Sequence, residues 1–179
     1  MKPQASYSRS SLDVGRYQAV QAALMRGHLG AALRLLNAGV AHRFSAAYSL
    51  EDGHFHNRGF IDKRGAPLPD DFVVVAFQDS FCRFVYQNGF FHTRDSATDG
   101  RLIGHKFRGV IASYTAAPVL DSTGKWVIGS VCHFDLEPRT ISENQMDLLR
   151  RAGRMVSARM LTVLPHVQPR QVANDPLLI

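Results

Sequence analysis

Long apolar runs are missing from this 179-residue chain, and none approaches the roughly eighteen residues that a membrane-crossing helix needs. The polar opening MKPQASYSRSS also lacks the apolar centre of a secretory signal, so a cytoplasmic, soluble protein with no membrane partner is expected. Cysteine is scarce. Cys82 and Cys132 are too few and too far apart for a disulfide framework or a four-ligand zinc site, which fits a reducing compartment. No internal repeat, low-complexity tract, helix-turn-helix, zinc-finger spacing or aromatic ribonucleoprotein motif is present.

What the chain does have is 45% hydrophobic residues, enough for one sizeable core. The formal charge of +6 raises the question of a polyanionic partner, but the basic residues are spread along the whole length. Arg94, Arg101, Lys106 and Arg108 are interrupted by Asp95 and Asp99, and Arg150, Arg151, Arg154 and Arg159 read as the solvated face of a helix. Nucleic acid is therefore not expected as a partner. The organisation expected is a flexible arm at 1–10, one domain at 11–164, and a tail at 165–179 kept out of helix by Pro165, Pro169 and Pro176.

Along the chain, Tyr17, Val20 and Leu24 mark an apolar helical stripe closed by Gly27, and Leu29, Leu33 and Leu36 mark a second, capped by Asn37 or Gly39. The runs 42–49 and 54–62 flank Glu51-Asp52-Gly53, a hairpin signal. Residues 72–77 suit a strand by propensity and an approach to a helix by context, so both remain open. A short helix over 80–87 ends at Asn88-Gly89, and 90–93 reads as the third strand.

The most informative stretch is 110–139. An apolar strand ends at Leu120, Asp121-Ser122-Thr123-Gly124 supplies turn chemistry, and a second strand runs from Trp126 to Phe134. Pro138 stops it, and Thr140 with Glu143 three residues on can cap a helix running to about Leu164. Leu148, Leu149, Ala152, Met155, Val156, Met160 and Val163 give that helix a stripe broader than one sheet face requires.

The wording of this hairpin, Tyr114, Pro118, Val119, Asp121, Gly124, Gly129, Cys132, Asp135 and Pro138, resembles the late hairpin of the GAF family, small-molecule sensor domains of bacterial signalling proteins. Asp79-Ser80-Phe81-Cys82 looks like the helix start many such domains carry, and 33–48 looks like the opening of compact proteobacterial GAF proteins. The resemblance implies an α+β, profilin-like fold. In it an antiparallel sheet of five to six strands has the N- and C-terminal helices on one face and short helices and loops, here 95–109, covering a pocket on the other. It also implies a sensor or regulatory role exercised through a partner or a homodimer built on the terminal helices.

The pocket so implied is lined by Ser80, Phe81, Cys82, Tyr86, His92, His105, Tyr114 and Cys132, with Ser80 and Tyr114 the better polar candidates. Thr115-Ala116-Ala117 departs from the small-glycine-valine wording usual before the proline, which brings a Cβ where glycine is common. One GAF branch reduces free methionine sulfoxide with cysteines, so a thiol-dependent reductase is an alternative, although that branch's signature is absent. A non-catalytic assembly module with a filled pocket is another. His133 follows Cys132 directly, but neighbours on a strand point to opposite faces, so it is not placed to activate the thiol.

His54 and His56 share a strand face without a third metal ligand at an obvious spacing, so no metal site is assigned. His92 and His105 flank the lid, where a few GAF sensors hold haem, while a surface or hydrogen-bonded histidine is the plainer reading. The cofactor stays unknown, and the cyclic-nucleotide and bilin patterns of the family are absent.

Overall fold

The computed structural model describes residues 11–163, and the expected arm at 1–10 and tail at 165–179 lie outside the described residues. Helices α1 (Ser11–Met25) and α2 (Leu29–Ala38) come first, followed by strands β1 (Phe44–Glu51), β2 (His54–Asp62) and β3 (Val74–Ala76). Then follow α3 (Cys82–Asn88), β4 (Phe91–Thr93), β5 (Ser113–Leu120), β6 (Val127–Asp135) and α4 (Glu143–Val163). The strands form one antiparallel sheet in the order β3-β2-β1-β6-β5-β4, with the long strands central and the three-residue strands at the edges.

Local chemistry accounts for most boundaries. The β1–β2 turn places Asp52 at φ 46° and Gly53 at φ 72°, the two positive values that a hairpin with right-handed strand twist demands. At the β5–β6 turn the Asp121 carboxylate accepts from the backbone N–H groups of Lys125 and Trp126 and from Thr123 Oγ1. Pro118 stands on the part of β5 beyond the end of β4, where the outer edge has no neighbouring strand among the described residues.

Three boundaries differ from expectation. Residues 72–77 resolve into the short β3 between two 3₁₀ turns, Asp70–Phe72 and Phe77–Asp79, so strand propensity prevails over only three residues. The capping box of α4 is Ser142 with Gln145, not Thr140 with Glu143: Ser142 N–H donates to Gln145 Oε1 and Gln145 N–H to Ser142 Oγ. β1 begins at Phe44, which leaves His42 in the connection before it.

The sheet separates two cores. On one side Val20, Leu24, Leu33, Leu36, Leu149 and Val156 from the three long helices cover Ala47, Ala117, Val119 and Val131. On the other, α3 and the lid at 94–112 cover Phe44, Ala46, Tyr48, Tyr114, Ala116, Cys132 and Phe134. Two layers of helix and loop on a single sheet make this an α+β fold, with six strands.

Candidate functional site

Alternation along the strands decides which side chains face the lid. Tyr114 pairs with Phe134, Ala116 with Cys132 and Pro118 with Ser130, so those on the even side of β5 and β6 share one face. α3 lies over them and lowers Cys82 into their midst. There Ser130 Oγ donates to Cys82 Sγ at 2.9 Å, Cys82 Sγ meets Tyr114 Oη at 3.0 Å, and Cys82 N–H donates to Ser80 Oγ at 3.1 Å. Cys132 stands on the same strand face beside them and influences Tyr114, so the phenol lies between the two thiols' fields.

All of these groups are buried, and burial is the leading cause of their acidities. It pushes the Cys82 thiol up against the opposing bonds from Ser130, Ser80 and Tyr114, and it pushes Cys132 and Tyr114 well above their ordinary ranges. Both cysteines are free, and both are protonated at neutral pH, the reverse of what a nucleophilic thiol requires.

Around the thiols the space under the lid is filled with rings. Phe81 lies with its centroid 4.4 Å from that of His105 and 5.4 Å from Tyr114, and Phe84 stacks on Phe91 at 4.7 Å. Leu102 and Phe107 hang from the lid into the same core. The lid is tied at its root, where Ser96 N–H donates to the Ala112 carbonyl at 2.6 Å and Gly109 N–H to Ser96 Oγ at 2.8 Å. His105 Nδ1 accepts the Phe107 N–H, which leaves the proton of the neutral ring on Nε2. Burial lowers its pKa, and the Ser80 carbonyl favours its charged form without reaching hydrogen-bonding geometry.

Seven of the eight expected site residues lie on this side of the sheet. Ser80, Phe81, Cys82, His105, Tyr114 and Cys132 converge, while Tyr86 packs edge-on against Phe77 at 5.4 Å, toward the margin. His92 is a correction. It pairs with Thr115, one step out of phase with Phe91 and Ala116, so it faces the helices, where its Nδ1 meets Thr115 Oγ1 at 2.8 Å. Ser130 was missed, although its place two residues before Cys132 puts it on the same strand face. Tyr48, Asn57 and Arg83 were also missed. Asn57 Nδ2, Arg83 Nε and His105 Nε2 are buried without a partner at hydrogen-bonding geometry. His54 and His56 sit edge to face with ring centroids 6.4 Å apart, and among the described residues no group of three or more His, Cys, Asp or Glu is arranged to hold a metal ion.

The helix side carries a second polar group that the sequence reading left unassigned. His133, 1% exposed, meets Ser45 Oγ through Nδ1 at 2.7 Å, and Ser45 Oγ accepts from Asn37 Nδ2 at 2.8 Å. His42, fully buried, lies beside it with ring centroids 6.1 Å apart.

No family model matches the chain, and neither does any curated relative. Solved structures do. The GAF domain of an Acinetobacter phosphoenolpyruvate-protein phosphotransferase superposes with a TM-score of 0.69 at 12% identity, covering 89% of this chain and all of that one. A type II free methionine-R-sulfoxide reductase from Thermoplasma acidophilum gives 0.60 at 15% identity, over 85% of this chain and 96% of the reductase. The chromophore-binding domain of a bacteriophytochrome from R. palustris gives 0.65 at 11%, over 87% of this chain and 63% of that one. Among the described residues no helix is long and apolar enough to cross a membrane. With its strand order, its two-sided cover and these superpositions, the chain has the GAF-domain fold.

Proposed function

We propose that this chain is a non-catalytic sensor module of a cytoplasmic signalling system, taking a small molecule between α3, the 94–112 lid and the sheet. The observation that carries this reading is a pair of buried donors without a partner at hydrogen-bonding geometry, His105 Nε2 beside the rings of Phe81, Phe84 and Phe107, and Arg83 Nε, whose guanidinium lies over Phe84. Unpaired buried donors are costly, and a guest offering acceptors relieves them. The chemistry favours a flat or apolar body bearing one or two acceptor groups. Entry displaces lid side chains. Exposing Leu102 and Phe107 costs about 3–6 kcal/mol at roughly 1.5–3 kcal/mol each, which lowers apparent affinity by about 10²–10⁴-fold.

The event passes to the helices through β5 and β6, which carry Tyr114 and Cys132 toward the lid and Ala117 and Val131 toward α4. A second copy is taken on the α1–α4 face, where an open groove of about 120 Å³ is lined by Val14, Tyr17, Leu148 and Arg151. Thermal-shift screening against metabolites, with native mass spectrometry of protein taken directly from cells, tests the proposal. A bound small molecule, or a stabilising one whose effect is lost in Phe107→Trp, supports it; an unresponsive protein that still dimerises points to an assembly module instead. The reductase reading is disfavoured by two buried, protonated thiols, and methionine sulfoxide turnover abolished by Cys82→Ser or Cys132→Ser would restore it.

A further inference from the structure

The helix-side histidines form a device that the sensing role does not use. Asn37 Nδ2 can only donate. It does so to Ser45 Oγ and to the carbonyls of His42 and Arg43, at 2.8, 3.3 and 3.4 Å. Ser45 Oγ accepts from Asn37 and meets His133 Nδ1 at 2.7 Å, so a neutral His133 accepting through Nδ1 gives the buried hydroxyl proton its acceptor. A proton on Nδ1 turns that nitrogen into a donor and takes the acceptor of the Ser45 hydroxyl away.

Asn37 also ties the Gly39–Arg43 connection through the His42 and Arg43 carbonyls, and three bonds that involve neither histidine ring add to it. Gln145 of α4 donates to the Gly39 carbonyl, Lys63 Nζ to the Val40 carbonyl at 2.5 Å, and Arg43 N–H to Asp135 Oδ2 at 2.9 Å. His42 hangs from this connection into the protein, fully buried, with neither ring nitrogen bonded.

We propose that His42 and His133 form an acid-triggered release: a proton on His133 takes away the acceptor that ends the Asn37–Ser45–His133 chain, a proton on His42 places an unbonded charge in the core, and either loosens the Gly39–Arg43 connection, and with it α2 and the start of α4, from the sheet. The groups facing His42 are Asp135 of β6, His92 of β4, Lys63 after β2 and Arg139 before α4; His42 and Lys63 face His133. Asp135 favours a charged His42, but it is already engaged by the Arg139 side chain and by the Arg43 and Glu137 N–H groups, while Lys63 and Arg139 oppose the charge. Burial is the main influence, lowering His42 from 6.5 to about 4 and His133 to about 3. The unfolded or released connection thus binds protons more tightly than the closed one. Stability is complete above about pH 6.5 and falls as pH drops toward the lower values.

Hydrogen exchange on the full chain, corrected for intrinsic rates, tests this. Between pH 7.5 and 5.5 the protection of amides at 37–45 is expected to fall about tenfold if one histidine drives release and about a hundredfold if both do. The Lys125 and Trp126 amides, at the opposite end of β6 from His133, keep theirs. His42→Leu with His133→Asn flattens the response. An unchanged response in that variant, a uniform loss across the chain, or no loss at all overturns the proposal. Should the variant fail to fold, histidine ¹⁵N shifts of the unaltered protein decide: His133 holding its Nε2–H tautomer until protection falls supports release, and a ring that titrates near 6.5 with protection intact refutes it.

Discussion

Replacing Gly153 by alanine tests how closely α4 rests on β5, the contact through which the proposed signal leaves the sheet. A Cβ at this position would stand 2.4 Å from the Pro118 carbonyl oxygen and 3.4 Å from Val131 Cγ1. Normal contact needs about 3.2 Å or more, so the helix must retreat by close to 1 Å, because the obstacle is backbone in a paired strand and not a mobile side chain. Overpacking of this kind costs about 1–3 kcal/mol, and alanine's better helix propensity returns about 1 kcal/mol. The net loss is roughly 0–2 kcal/mol, or up to about 8 °C in Tm for a domain of this size. Gly15→Ala supplies the control. Gly15 is exposed on α1 with no atom within 4 Å of an added Cβ, so the same substitution gains up to about 1 kcal/mol and raises Tm. Calorimetry of both variants decides. If Gly153→Ala raises Tm as much as Gly15→Ala does, the helix does not sit where the argument places it.

Both thiols are expected to resist a thiol-exchange dye in the native protein at pH 8 and to react together only after denaturation, since burial keeps them protonated and out of reach; rapid native reaction of either would contradict this. Tyr114→Phe removes the hydroxyl that meets Cys82 and is expected to cost about 0.5–1.5 kcal/mol in denaturant titration, with Ser130 still donating to Cys82. Gly124→Ala, at φ 71° in an otherwise open turn, should cost about 1 kcal/mol and reduce protection of the Lys125 and Trp126 amides, whereas Gly124→Asn should largely spare them. Below pH 4 a separate acid limb is expected: the Arg43 guanidinium holds the Asp62 carboxyl near 2 and Arg101 does the same for Asp99, so their contributions are present above about 3.8 and lost toward 2, and Asp62→Asn shrinks that limb while leaving any loss between pH 6.5 and 4 untouched.

Legibility in the sequence tracked how local the signal was. Asp52-Gly53 and Asp121 to Gly124 announce their turns because the required φ values and carboxylate bonds lie within a few residues. The opposition of Cys132 and His133 follows from alternation alone, and the structure places them on opposite sides as expected. His92 went to the wrong side because the phase of a three-residue strand depends on its partner, Thr115, 23 positions away. The helix-side group escaped altogether. Asn37, Ser45 and His133 meet only because β1 pairs with β6, and nothing near 45 in the sequence names its partner at 133. The filled chamber was similarly hidden, since ring packing by Phe81, Phe84 and Phe91 depends on where α3 is laid across the strands.

A single peptide unit, 132 to 133, separates a thiol bathed in aromatic rings from an imidazole wired to serine and asparagine. Under the proposed sensing role, a guest that pried the strand outward on one side would tilt the hydrogen-bonded ring on the other, and acid sensitivity would then report on what lies under the lid.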